Sequence, residues 1–335
     1  MIERAVVEVF GGCNYSCSMC PQTTGRGSDW TRKMPLQLFE KILDELPGKP
    51  LIQLEGSGEP TMAKDLPLYV EACSQRGLKS YMYTNGSEFY GDLMKDTLDA
   101  GLDFVRFSCI GYNREQYQKW MNVDNFDWIK WNIREVKSYA TKCDVSSYHL
   151  ILNNDQTDYE VSQYKNNFIN DLGITGYIWK MHNWSGNWQP KYNRKSDKRR
   201  SCGRPFANEI TIRAGGVNGL RGAVTPCCQT LGPPNESKSV LGHMSVQSFD
   251  DIWYGDEYNN LRKAHEMQEW PDYCQNCDFL IDDPEVLIWT NDADMKVGKM
   301  LGVEKINLHE DPYSISKPTN DDYSGSFSRY LYSNM

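Results

Sequence analysis

Gly11-Gly12-Cys13-Asn14-Tyr15-Ser16-Cys17-Ser18-Met19-Cys20-Pro21 follows directly on an apolar opening run, and its CxxxCxxC spacing decides how the rest of the chain is read. Thiolates are the usual ligands of iron–sulfur clusters. Three of them on a Gly-rich loop hold three irons of a 4Fe–4S cluster and leave the fourth open to a substrate or cofactor. A zinc knuckle or a set of inert thiols is the alternative, but a structural zinc site normally closes with four ligands. No fourth Cys or His lies near the triplet.

Outward from this loop, residues 1 to about 180 alternate short apolar runs with helical patterns, which reads as β/α. Strands are expected at Ala5–Phe10, Leu51–Glu55, Lys79–Thr84, Phe104–Ile110, Ser147–Leu152 and Thr175–Lys180. Amphipathic helices fill the intervals, one of them starting after Met34-Pro35 and ending at Pro47-Gly48. Right-handed parallel crossovers wind six such strands into an open sheet or partial barrel, with the site at the carboxyl ends of the strands. Cys13, Glu59, Asn85 and Ser108 all fall at or just beyond such ends.

The 335 residues allow one large domain and a smaller one. A formal charge of −9 with both signs interspersed disfavours a general nucleic-acid surface. No apolar run approaches the roughly 18 residues of a membrane span, and Met1 to Phe10 is too short and too charged for a secretory signal. A cytoplasmic protein with no membrane partner is expected. In that setting eleven cysteines argue for metal ligation or catalysis over disulfides.

The triplet, with apolar Met19 before its last cysteine, resembles the signature of the radical S-adenosylmethionine (SAM) enzymes. The resemblance implies a partial (β/α)6 barrel, a SAM-chelating 4Fe–4S cluster on Cys13, Cys17 and Cys20, and a 5′-deoxyadenosyl radical that abstracts a substrate hydrogen. It also implies a reductant such as flavodoxin or ferredoxin. Glu55-Gly-Ser-Gly-Glu-Pro60 is similar to the family's Gly-Gly-Glu-Pro motif with Ser57 in place of the first glycine. Gly58 and Glu59 are then expected to receive the SAM amino group, although a Gly-rich turn ending a strand is also simply a turn. Asn85, in Thr84-Asn-Gly86, and Ser108 are expected near the cofactor, against the plainer readings of a turn and a sheet serine. Asn153 resembles a ribose-contacting residue and is equally a helix cap. Trp179, Met181 and His182 are candidates for the pocket wall.

Cys202, Cys227, Cys274 and Cys277, with the intervening Ile210-Thr-Ile-Arg-Ala-Gly-Gly, Ile252-Trp253 and Leu261-Arg262, look like the Twitch domain, the shortened SPASM domain of many radical SAM enzymes. That likeness implies a second, auxiliary 4Fe–4S cluster on these four; a zinc ribbon is the alternative. Adjacent Cys227 and Cys228 point to opposite sides if they lie on a strand, so one ligates, and Cys227 is the choice. Cys228 and Cys109 are then the candidates for a hydrogen-atom donor, while Cys73 and Cys143 read as small core residues. The expected organisation is a core over 1–183, a linker over 184–201 whose basic run Lys195–Arg200 is solvated, a Twitch domain over 202–282, and a tail over 283–335 that packs on the core or lies free.

Among relatives this arrangement most resembles 2-deoxy-scyllo-inosamine dehydrogenase, which implies radical dehydrogenation of a sugar-like or other small alcohol. Modification of a ribosomal peptide and radical epimerisation are the rival chemistries; a non-catalytic iron–sulfur electron carrier is a further one. The start of the chain close to its first strand weighs against a leader-peptide-binding domain and hence against a peptide substrate.

Overall fold

The computed structural model describes residues 1–24, 30–151, 157–186, 201–230, 237–280 and 287–292. Asn153, residues 187–200 of the expected linker and residues 293–335 of the expected tail lie outside the described residues.

Among the described residues ten strands form one sheet: β1 (Arg4–Val7), β2 (Leu51–Leu54), β3 (Ser80–Thr84), β4 (Phe104–Ser108), β5 (Asp144–Ile151), β6 (Thr175–Lys180), β7 (Glu209–Ile212), β8 (Ala223–Thr225), β9 (Gly242–His243) and β10 (Leu287–Thr290). Their order is β10-β6-β5-β4-β3-β2-β1-β7-β8-β9. Each consecutive pair from β1 to β6 is parallel. This is the α/β fold with a mostly parallel sheet that the strand–helix alternation predicts. The helices α1 (Leu36–Glu45), α2 (Leu66–Gln75), α3 (Gly91–Asp99), α4 (Arg114–Met121), α5 (Phe126–Tyr139) and α6 (Thr157–Tyr164) fill the crossovers.

Side-chain alternation along each strand separates two surfaces. Ala5, Val7, Ile52, Leu54, Met82, Val105, Phe107 and Ile178 join the large apolar core with Phe39, Ile42, Val70, Ile129 and Ile133 of the helices. The opposite face carries Val6, Gln53, Tyr83, Ser108, Tyr148 and Trp179, one residue from each of six strands, and all six line a single cavity. The sheet therefore curves around that cavity. On the same face of β4 as Ser108, the Arg106 guanidinium lies 3.7 Å from the Tyr177 ring centre and 5.2 and 5.4 Å from those of Tyr81 and Tyr83. Cation–π contacts of this kind hold a charge among apolar rings.

The first strand stops at Val7 and not at Phe10, for a definite reason. Residues 9 to 11 pair with the chain before α1: Met34 donates to the Val9 carbonyl at 2.9 Å, and Gly11 to that of Arg32 at 2.8 Å. The second half of the chain does not stand apart as a separate sheet. β7 runs parallel to β1 in the register Arg4↔Glu209 to Val7↔Ile212, and the antiparallel β8 and β9 continue outward. At the other edge β10 pairs antiparallel with β6, so residues 287–290 belong to the core sheet.

Beyond β9, α7 (Phe249–Trp253) opens with a capping box of Ser248 and Asp251 and leads to α8 (Asp256–Glu266) and α9 (Asp272–Gln275). Arg262 ties these helices to the segment after Cys202. It donates to the carbonyls of Trp253 at 2.8 Å and Pro205 at 3.1 Å and lies over the Tyr258 ring at 4.2 Å.

Candidate active site

The cysteine loop is held from below and from the side. Glu8, 1% exposed, accepts from Ser57 N at 2.7 Å and Ser57 Oγ at 2.9 Å with one oxygen, and from Ala214 N at 3.2 Å with the other. It thereby joins the ends of β1, β2 and β7 under the loop. Gly58 approaches the loop so closely that a Cβ there would stand 1.9 Å from the Phe10 carbonyl oxygen and 2.6 Å from that of Gly12. Only glycine fits such a backbone contact. Glu59 N completes it by donating to the Gly12 carbonyl at 2.8 Å.

Glu59 itself is buried and fully engaged. One oxygen accepts from Thr61 N at 3.1 Å, Thr61 Oγ1 at 2.7 Å and Thr84 Oγ1 at 2.6 Å; the other accepts from Asn85 N at 2.6 Å. Burial pushes its carboxyl up, opposed by these donors. In this structure the carboxylate therefore anchors the turn after β3, a structural duty not foreseen in the sequence. Asn85 in turn reaches the cysteine loop, donating to Asn14 Oδ1 at 2.9 Å and approaching Cys13 Sγ at 3.8 Å.

Cys13, Cys17 and Cys20 line the cavity with Gly58, Glu59, Asn85 and Ser108, whose hydroxyl donates to Tyr148 Oη at 3.2 Å. Burial pushes the Cys13 thiol up to about 12 and that of Cys17 upward as well, with each of the three thiols within electrostatic reach of the others. Thiols in such surroundings stay protonated until a metal takes them as thiolates. Trp179 and His182 also line the cavity, as expected, but Met181 is 0% exposed and turns into the core.

The same cavity is lined by Arg204, Cys228, Gln229 and Phe279, neighbours in sequence of the second cysteine set. Cys274 feels the charges of Cys227, Cys202 and Cys277, and Cys277 those of Cys202 and Cys227, so the four come together across three segments of chain. Burial raises all four thiols, that of Cys227 to about 12. Cys227 and Cys228 lie beyond the end of β8 and not on a strand, and Cys228 stands apart from this group. It lines the cavity and receives Arg204 Nη1 at 3.5 Å. Cys109 is the correction: at 0% exposure it lies in the core and does not reach the cavity, because its strand position faces the helices.

The cavity measures about 290 Å³. Its wall near the second set holds unmatched polar atoms: among the described residues Arg204 Nε and Gln229 Oε1 are buried with no hydrogen-bond partner. Glu55 also faces the cavity, held at one oxygen by Gln53 on the same strand face. Burial pushes its carboxyl up to about 7 against the pull of Arg4 and the Gln53 bond. In the sequence Glu55 carries no assignable role beyond ending the second predicted strand; its position one step inside the Gly-rich turn is the available signal. Among the described residues no three Cys, His, Asp or Glu side chains close around a point for one metal ion. Thiolates around a four-iron cube stand farther apart, and an all-thiol donor set suits iron–sulfur clusters.

Comparison with known proteins agrees with this geometry. Residues 7–162 match the model of the Radical SAM superfamily, and residues 219–278 match SPASM, an iron–sulfur cluster-binding domain. The chain carries a radical SAM domain and an SPASM-type iron–sulfur domain. The radical SAM domain implies a SAM-binding 4Fe–4S cluster and SAM, and the SPASM domain an auxiliary iron–sulfur cluster. The SPASM match spans Cys227, Cys228, Cys274 and Cys277, while Cys202 precedes it.

Among solved structures, BtrN in complex with AdoMet and 2-DOIA is 19% identical, with a TM-score of 0.54 over 83% of this chain and 93% of BtrN. SuiB of Streptococcus suis bound to its precursor peptide SuiA is 16% identical, with a TM-score of 0.58 over 78% of this chain and 67% of SuiB. These likenesses are of fold. Among curated relatives, an uncharacterised protein of Methanocaldococcus jannaschii is 25% identical over 50% of this chain and 55% of its own length. A probable GTP 3′,8-cyclase of Metallosphaera sedula is 28% identical over 39% of this chain and 41% of its own. The chain thus spans about half or less of the curated relatives it matches. Among the described residues no helix is long and apolar enough to cross a membrane.

Proposed function

We propose that this radical SAM protein removes a hydrogen atom from a small alcohol bound in this cavity and completes the oxidation to a carbonyl. The observation that carries the reading is the shared cavity: Cys13, Cys17 and Cys20 line it together with Arg204, Cys228 and Gln229. In this reading Cys13, Cys17 and Cys20 hold the SAM-binding cluster, and Cys202, Cys227, Cys274 and Cys277 hold the auxiliary one. When bound, these cofactors supply SAM cleavage to a 5′-deoxyadenosyl radical and a one-electron acceptor for the oxidised substrate.

The protein's share is orientation and proton handling. Gly58, Asn85 and Ser108 shape the SAM half. Glu55, an acid held near the middle of the physiological range and open to the cavity, takes the hydroxyl proton. Gln229 and Arg204 offer an acceptor and a donor for substrate hydroxyl groups. The electron for SAM cleavage comes from a small redox protein such as flavodoxin or ferredoxin.

A second reading rests on Cys228. A thiol in the cavity wall can return a hydrogen atom to the opposite face of a carbon radical, which gives epimerisation of a small molecule or of a peptide residue. The SuiB likeness in fold keeps a peptide among the substrates to be tried. Anaerobic reconstitution, reduction with dithionite and incubation with SAM test the common core of both readings. Formation of 5′-deoxyadenosine above a Cys17→Ala control is expected, and its absence sinks both. Aminocyclitols and sugar alcohols, assayed for a carbonyl product, then separate dehydrogenation from deuterium incorporation without oxidation, the mark of epimerisation.

A further inference from the structure

Arg204 stands where the cavity meets the auxiliary cysteines. It follows Cys202 by two residues, and Gly203 between them adopts a positive φ of 75° that turns the chain back on itself. The guanidinium lies 3.5 Å from Cys228 Sγ, 3.7 Å from Glu209 Oε1 and 5.5 Å from the Phe279 ring centre. From β1, Arg4 pairs with the same Glu209. Two guanidiniums thus share one carboxylate, with the Glu55 carboxyl also within the field of Arg4. The Arg204, Arg4 and Glu209 side chains are largely removed from water, at 13%, 5% and 15% exposure.

A buried charge of this kind is costly and is weak evidence for a stabilising role. Guanidinium does not deprotonate in proteins, so the positive charge of Arg204 is permanent. The neighbours that could balance it are the thiols of Cys202, Cys227 and Cys228, which lie in its electrostatic field. A cube held by thiolates is negatively charged and becomes more so on reduction, and its potential responds to nearby charge and burial.

We propose that Arg204 raises the reduction potential of the auxiliary cluster and so makes it a better acceptor for the electron left on the substrate. The proposal rests on the reading that Cys202, Cys227, Cys274 and Cys277 hold that cluster. In the reaction it serves, the alcohol loses a hydrogen atom from carbon to the 5′-deoxyadenosyl radical, forming the last C–H bond of 5′-deoxyadenosine. It loses a proton from oxygen to Glu55 and one electron to the oxidised auxiliary cluster. The positive charge favours the state with the extra electron. Glu209 offsets it in part, which makes the two residues opposite levers on one quantity.

The test needs no substrate. A full-length variant with Cys13, Cys17 and Cys20 replaced by alanine is reconstituted with iron and sulfide, leaving the auxiliary site alone, and its midpoint potential is read by EPR-monitored titration. In that background R204Q is expected to make reduction about tenfold less favourable, a negative shift of about 59 mV for one electron. R204K keeps the charge and stays near the parent. E209Q removes the offsetting charge and shifts the midpoint upward. R204Q with full iron content and an unchanged midpoint overturns the proposal. If R204Q takes up no iron, E209Q decides, and an unchanged or lowered midpoint there overturns it equally. A parent that binds no cluster at all refutes the ligand reading instead, before Arg204 is tested.

Discussion

The indole N–H of Trp184 donates to the carbonyl of Met19 at 2.9 Å, fastening the chain after β6 to the loop between Cys17 and Cys20. The neighbouring Asn183 faces the other way. Its side chain donates to the Asn276 carbonyl at 2.7 Å and accepts from Asp278 N at 3.1 Å, on the loop that carries Cys274 and Cys277. Two consecutive residues therefore strap both cysteine sets together, and Trp184 and Ser185 hold positive φ angles of 48° and 55° to do so. Such conformations persist when surrounding bonds over-determine them.

Trp184→Phe keeps most of the ring and removes the bond. A loss of about 1 kcal/mol in the stability of the iron-free protein is expected, together with faster release of iron from the core site to a chelator. Urea unfolding and chelator-release kinetics check this; equal release rates for variant and parent contradict the strap.

Glu55 gives stability a pH dependence with a definite sign. Its folded pKa of about 7 stands above the ordinary 4.5, so the folded state binds more protons between those values. Stability contributed by the protonated acid is complete below about pH 4.5 and is lost as pH rises through about 7, by at most about 3 kcal/mol. Glu55→Gln cannot ionise and escapes the loss. Its advantage over the parent is expected to grow between about pH 5 and pH 8 in thermal unfolding of the iron-free protein; parallel curves exclude the raised acid.

The cysteine pair at 227 and 228 separates cleanly by metal content. Cys227→Ala is expected to lose about four irons per protein, those of one cubane, while Cys228→Ala retains them and alters product distribution. Cys109→Ala, in the core, is expected to cost roughly 1 kcal/mol as a small cavity and to leave iron and products unchanged. Iron and sulfide assays on the three variants decide; iron loss in Cys228→Ala alone reverses the assignment.

Gly58→Ala confronts two backbone oxygens, neither able to give way, and is expected to displace the cysteine loop and abolish iron uptake at the core site. Gly91, where nothing lies within 4 Å of an added Cβ, makes the control. Its φ of 59° makes alanine there cost about 1 kcal/mol without touching the site. Comparable iron uptake by the two variants counts against the close approach at Gly58.

The parallel strands, the cysteine triplet and the CxxC pair were legible because each is a local pattern: short apolar runs between helical periods, Gly-rich strand ends and fixed ligand spacing. Leu51 and Thr175 start their strands where the sequence predicts. What escaped is non-local. Glu8 reads as one more strand residue until Ser57 and Ala214 are brought to its carboxylate. The Arg4–Glu209–Arg204 group joins two distant segments, and no spacing announces it. Glu59 lines the cavity, and its anchoring of the turn after β3 through Thr61, Thr84 and Asn85 is the part that no local pattern announces. Cys109 and Cys228 look alike as spare thiols; only burial tells them apart.

The pairing of β1 with β7 also constrains how the chain matures. The residues of its first rung, Arg4 and Glu209, are 205 positions apart. While the protein is being synthesised, β1 gains β2 early but keeps a bare edge until the second half emerges. Such an edge is a template for wrong partners, and long-range parallel pairing is slow to form. Completion of translation, and not assembly of the first six strands, is therefore the event that seals the SAM-domain sheet. A chain halted before residue 209 would display β1 as a sticky surface.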